Sequence, residues 1–208
     1  LLLLLPENNK MGFRCFKFLN MKNIVFDLGA VVVDWNPDKL LQEYPGDRKL
    51  PEILFERGFF QTCWSEFDRG VYTQEEMAEK ISQCAGHPYE ECWDLMEYVK
   101  HSLCDIPETV QLIKELSARD YRLFCLSNMS VEYYDYMKHR EVFSYFEGHI
   151  ISALEHTVKP EKEIFMVLTE RYGLKPEETL FIDDLEANVE SARQLGFNIL
   201  HFSNREKG

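Results

Sequence analysis

Positive charge is scarce in this sequence. Its 208 residues carry 23 lysines and arginines against 36 aspartates and glutamates, a formal net charge of −13. That balance argues against nucleic acid or an anionic membrane as partner, since both are bound through excess positive charge. Paired cysteine spacing is lacking too. Cys15, Cys63, Cys84, Cys92, Cys104 and Cys125 form no CxxC pair and no Cys/His zinc pattern. They read as reduced packing thiols, which places the protein in the cytoplasm. Leu1–Leu5 falls far short of the roughly 20 apolar residues a membrane span needs. With no basic residues before it and no small-residue cleavage site after it, it makes a poor signal peptide. Residues 1–20 precede Met21 and read as an extension, native or artefactual, mobile or loosely docked. A hydrophobic content of 45% in this length is enough for one sizeable core with an insertion.

The chain is organised around the run from Lys22 to Asp34. It is apolar and β-branched, has no helical period, and reads as a strand buried on both faces. One carboxylate, Asp27, is set inside it, and burying a carboxylate is costly unless something pairs with it. Gly29, two residues on, suits a sharp turn or a close backbone approach to a ligand. Strand character then disappears over residues 36–105, where short helical periods take over. Gly70 fits a helix end, and Thr73 with Glu76 three residues later forms a capping box that opens the next helix. From Pro107 helices and strands alternate. Strands are expected at 123–126, 149–151, 179–182 and 197–200, with helix stops at Gly173 and Gly196. The expected fold is α/β: a doubly wound, Rossmann-like parallel sheet, residues 21–35 and 106–208, with a helical bundle inserted at 36–105.

In a parallel sheet the carboxyl ends of the strands share one edge, and ligands bind there. Three apolar strands of this chain end in polar residues: Asp27, Ser127-Asn128 and Asp183-Asp184. Lys159, next to Pro160, is placed at a loop-to-helix junction, with Pro160 suited to the first turn. Taken singly, Ser127-Asn128 reads as a helix cap, Lys159-Pro160 as a solvated loop and Asp183-Asp184 as an N-cap. Together, in this order and at these strand ends, they read as one site. Three carboxylates against one lysine need a further cation, and oxygen ligands select a hard one, Mg²⁺. Metal and lysine bring the site near neutrality, so it can accept a phosphate despite the overall −13. Ser127 and the backbone N–H groups that follow Asn128 are the candidate phosphate donors.

The order Asp27, Ser127, Lys159-Pro160, Asp183-Asp184 resembles the four motifs of the haloacid dehalogenase-like (HAD) hydrolases over residues 22–202. Phe26-Asp27-Leu28-Gly29 and the stretch from Asp68-Arg69-Gly70 to Glu76 resemble the branch containing α-D-glucose-1-phosphate phosphatase and the N-terminal domain of epoxide hydrolases. The resemblance implies that 36–105 is a helical cap. It implies Asp27 as nucleophile and Mg²⁺ ligand, with the Gly29 carbonyl on the same metal. Ser127 and Asn128 would hold the phosphoryl group, and Lys159 would pair with the nucleophile and the phosphoryl oxygens. Asp183 would ligate the metal, with Asp184 binding it directly or through water. Asn188 would orient Lys159 or Asp184. The implied reaction is Mg²⁺-dependent hydrolysis of a small phosphorylated metabolite, a sugar phosphate first, through an aspartyl-phosphate; no protein partner is expected.

One departure stands out. Many phosphatases of this superfamily carry an acid/base aspartate where this chain has Gly29. Such a group contributes about 10²–10⁴-fold. The substrate then has a good leaving group, or Asp34, Glu66, Asp68 or Tyr72 substitutes, or the protein is a slow or non-catalytic binder. A 2-haloacid dehalogenase needs no metal and does not explain Asp183-Asp184. A phosphomutase needs the missing aspartate. Arg69 is a further candidate contact for an anionic substrate. Trp64, Phe67, Tyr72 and Trp93 line a pocket or, by the preferred reading, form the core of the helical unit.

Overall fold

The structure is a computed structural model. It describes residues 21–202, except the side chains of Phe60 and Gln61. Before residue 21 it describes only short backbone segments at Leu2–Leu3, Pro6–Glu7, Lys10–Phe13 and Phe16–Lys17, which pair antiparallel among themselves. The expectations for residues 1–20 as an extension, and for Cys15, lie outside the described residues.

Five parallel strands form the sheet: β1 (Asn23–Phe26), β2 (Arg122–Ser127), β3 (Gly148–Ile151), β4 (Thr179–Asp183) and β5 (Asn198–His201). Their spatial order is β3-β2-β1-β4-β5. Side chains of a strand alternate between the two faces. Ile24, Phe26, Leu123, Cys125, Leu180 and Ile182 accordingly join one buried cluster. Val25, Phe124, Leu126 and Phe181 join the other, against α9 (Lys162–Tyr172) and α10 (Glu186–Gln194). A slip of one residue would exchange these faces, so burial on both sides fixes the register. The α/β parallel-sheet expectation holds.

The run from Lys22 to Asp34 is not one strand. It is β1 followed by a tight loop, in which the Leu28 carbonyl accepts from the N–H groups of Val31, Val32 and Val33. Leu28, Val31, Val32 and Val33 are fully buried all the same, so an apolar run produced by a buried loop mimicked a longer strand. The residue with a left-handed backbone in this turn is Ala30, at φ +57°, and not Gly29.

Between β1 and β2 lie α1 (Pro37–Glu43), α2 (Lys49–Glu56), α3 (Phe59–Asp68), α4 (Gln74–Ala85), α5 (Tyr89–His101) and α6 (Pro107–Ser117). The capping box at Thr73 is formed in both directions. After β2 come α7 (Val131–Met137) and, beyond β3, the short α8 (Ser152–Glu155). Pro160 does not open α9. The helix starts two residues later with Glu161 as N-cap, and the Lys159-Pro160 peptide is cis. Among the described residues no helix is long and apolar enough to cross a membrane. Cys63, Cys84, Cys92, Cys104 and Cys125 are free thiols.

Candidate active site

The strand ends deliver Asp27, Ser127 and Asp183 to one edge, because β2, β1 and β4 are parallel neighbours in register. Asp27 directly follows β1, and its N–H continues the ladder to the Ile182 carbonyl at 2.9 Å. Lys159 reaches this edge from the turn before α9. Its Nζ stands 2.8 Å from Asp27 Oδ1 and 2.7 Å from Asp183 Oδ2. All three are buried, at 7% exposure for Asp27, 4% for Lys159 and 0% for Asp183.

Asp183 is held on every side. Both of its oxygens accept from Asn188 Nδ2 at 3.0 Å, and Oδ1 also accepts from the Leu185 N–H at 2.8 Å. Asn188 therefore orients Asp183, where the sequence pointed to Lys159 or Asp184. Asn128 has a second use: its side chain donates to the Lys159 carbonyl and accepts from the Lys159 N–H, at 2.9 and 2.8 Å. It fixes the backbone that carries the lysine. The expected phosphate donors after Asn128 are displaced. The Met129 N–H goes to Ser152 Oγ, and α7 begins only at Val131, capped by Ser130.

Electrostatics follow from this crowding. Burial pushes the Asp27 carboxyl up to about 7, against the pull of Lys159 and with Asp183 and Asp184 adding to the rise. Burial alone would depress Lys159, but Asp27 and Asp183 outweigh it and keep the ammonium charged. Carboxylate oxygens of Asp27, Asp183 and Asp184 come within 4.8 Å of one another. This hard oxygen set, with the Lys159 ammonium against Asp27 and Asp183, fits a divalent cation such as Mg²⁺, which these aspartates would hold.

A cavity of about 300 Å³ adjoins this cluster, lined by Gly29, Trp35, Trp64, Asp68, Asn128 and Tyr133 among others. Of the four acids considered in place of an aspartate at Gly29, only Asp68 lines it. Asp34 is exposed near Lys39, Glu66 is exposed, and Lys80 covers the Tyr72 ring. Burial pushes the Asp68 carboxyl up to about 8, with Asp27 adding and Lys159 opposing. Arg69 is taken up by both oxygens of Glu161, at 2.8 and 2.5 Å, and does not line the cavity. Phe67 is core, Trp93 stacks on Tyr89, and Trp64 serves both core and cavity, stacked on Trp35 and edge-on to Tyr133. Sequence reasoning missed Trp35 and Tyr133 as cavity residues. An Asp-Trp turn and a helical tyrosine look the same whether they face a ligand or a core.

A family model described as haloacid dehalogenase-like hydrolase matches residues 21–196. The D-ribitol-5-phosphate phosphatase of Bacteroides thetaiotaomicron is 29% identical over 197 residues, covering 85% of this chain and 89% of its own. A sesquiterpene phosphatase of Aspergillus oryzae is 24% identical over 185 residues, covering 88% and 90%. In fold, a HAD family enzyme of B. thetaiotaomicron, crystallised with magnesium and inorganic phosphate, superposes with a TM-score of 0.72 at 24% identity, over 90% of this chain and 98% of that one. A parallel sheet with its acidic residues and lysine gathered at one edge, matched by that family over 21–196, makes this chain a member of the haloacid dehalogenase-like hydrolases.

Proposed function

We propose that the protein is a cytoplasmic, Mg²⁺-dependent phosphomonoesterase that acts on a small phosphorylated metabolite, a sugar phosphate first, through an aspartyl-phosphate on Asp27. The observation that carries this reading is the Lys159 ammonium set between Asp27 and Asp183, with Asp184 beside them. A divalent cation held by these aspartates would balance their charge and let a phosphate bind. The phosphatase names of two relatives, one acting on D-ribitol 5-phosphate, support the same class. The helical segment 36–105 acts as the cap over the site.

Asp27 Oδ1 is occupied by Lys159 and by the Leu28 N–H at 2.7 Å, so Oδ2 is the attacking oxygen. It forms the bond to phosphorus as the bond to the leaving oxygen breaks, and water then hydrolyses the acyl-phosphate. Lys159 stands where it neutralises negative charge on the transferring group, and its two carboxylate partners keep it protonated. Ser127, at the end of β2, is the side-chain donor to the phosphoryl group. When bound, Mg²⁺ would supply further charge neutralisation at the phosphoryl oxygens.

Purified protein should release phosphate from 4-nitrophenyl phosphate and D-ribitol 5-phosphate with Mg²⁺ and not with EDTA. Asp27→Asn should lower kcat by about 10³-fold or more. Turnover that ignored both the metal and Asp27→Asn would sink the reading.

A further inference from the structure

The reaction above produces an oxyanion on the leaving alcohol, and Gly29 has no side chain to protonate it. We propose that Asp68, delivered from the C-terminus of α3, is the catalytic acid that protonates the departing oxygen. The inference rests on the phosphatase reading of the same site.

Three observations place Asp68 in this role. Among the described residues it is the one carboxyl lining the 300 Å³ cavity. Tyr133, the other titratable side chain on that wall, gives its hydroxyl proton to the Met96 carbonyl at 2.9 Å, and burial holds it well above the ordinary tyrosine range. Second, no described residue hydrogen-bonds to or ion-pairs with the Asp68 carboxyl. Burial, with Asp27 adding, pushes this half-buried, unpaired carboxyl toward its protonated form, which is the form that donates.

Third, the backbone around it is fixed to the sheet side of the molecule. The Asp68 carbonyl accepts from the fully buried Ser152 Oγ. Arg69 is clamped to Glu161 just ahead of α9. Gly70, at φ +74°, packs so closely on the Ala153 carbonyl that a Cβ would lie 2.5 Å from its oxygen. A cap residue that is to donate a proton must be placed within a few tenths of an ångström, and three successive residues are anchored here.

The step balances within the site. As Oδ2 of Asp27 bonds to phosphorus, the bridging P–O bond breaks and its electron pair stays on the alcohol oxygen. The Asp68 proton moves to that oxygen and leaves a carboxylate. The water that later opens the aspartyl-phosphate returns a proton to Asp68.

The test compares wild type and Asp68→Asn on phenyl phosphates with 4-nitro, unsubstituted and 4-methoxy rings, in Mg²⁺. It reads kcat/KM, which covers the steps up to leaving-group departure. For Asp68→Asn the loss should be about 10²-fold or more with the 4-methoxy and unsubstituted rings. It should fall to less than about tenfold with 4-nitrophenyl phosphate, whose phenolate leaves without help. The slope against leaving-group pKa thus steepens. A loss by the same factor on all three overturns Asp68 as the acid while leaving the phosphatase reading intact. No metal-dependent release by the wild type from any of them overturns both. The uniform-loss result is read on a variant with a folded melting curve, and Asp68→Ala replaces Asp68→Asn on the same series if the latter does not fold.

Discussion

At the scale of single residues, one buried carboxyl, Asp27, and one half-buried carboxyl, Asp68, set the pH behaviour of this protein. Asp27 is raised from 3.8 to about 7 and Asp68 from 3.8 to about 8, each chiefly by burial. The folded chain therefore binds more protons than the unfolded one across that window. Their favourable contribution is full below about pH 3.8 and is lost as pH rises through about 7 and about 8. Metal-free protein in EDTA should melt at a steadily lower temperature as pH rises from about 5 to 8.5. Asp68→Asn removes part of that fall, so at about pH 8.5 the variant should melt above the wild type. Mg²⁺, which competes with protons for the carboxylates, should raise the melting temperature more at high pH than at low. Scanning fluorimetry over a pH series reads all three, and a flat pH dependence in EDTA would contradict the burial argument.

At the scale of elements, the turn between α3 and α4 does most to place the site. It ends α3 at Asp68, passes through Gly70 and restarts the chain with the Thr73 capping box. Gly70 and Gly86 are both left-handed, at φ +74° and +72°. They differ in surroundings: a Cβ at Gly70 would meet the Ala153 carbonyl, whereas at Gly86 nothing lies within 4 Å. Gly86→Ala should cost about 1 kcal/mol from backbone conformation alone. Gly70→Ala should cost more, about 2–3 kcal/mol, because the α3–α4 turn must also back away from α8. Urea unfolding of the two variants measures the difference. Gly70→Ala should in addition lower kcat/KM by displacing Asp68, and Gly86→Ala should not.

At the scale of the whole molecule, the helical segment and the sheet meet across the cavity, and the Arg69–Glu161 pair ties them together. Hydrogen bonding from Arg69 holds the Glu161 carboxyl down at about 2. Its contribution is therefore present above about 4.5, the ordinary value, and is lost as pH falls toward about 2. The pair is about a third exposed, which limits its worth to global stability through solvent screening. Its effect belongs to the seam. Glu161→Gln should leave the melting temperature at pH 7 within a few degrees, yet speed amide exchange in the α3–α4 turn, read by hydrogen–deuterium exchange. Unchanged exchange at residues 68–72 would show that Ser152 and Gly70 hold the seam alone.

Much of the fold follows from the sequence because strands buried on both faces leave continuous apolar runs, and helices leave a 3.6-residue period. The positions of β2 to β5, the helical insertion and the Thr73 capping box were legible for that reason. So was the gathering of Asp27, Ser127 and Asp183 at one edge, since parallel strands must end together. Local pattern could not separate β1 from the loop after it, because Leu28 and Val31 to Val33 are buried in either arrangement. Nor could it assign partners. Asn188 on Asp183, Asn128 on the Lys159 backbone and Arg69 on Glu161 are contacts between distant segments, and only the packed chain decides them. The same holds for Asp68. By sequence it was one acid among several near a helix end. Its place in the cavity wall, with no partner among the described residues and its backbone anchored, comes from the meeting of α3 with the loops that follow β3. Sequence by itself determined the elements and the chemistry available at one sheet edge. Tertiary structure decided which charges are shared, and which carboxyl is left holding its proton.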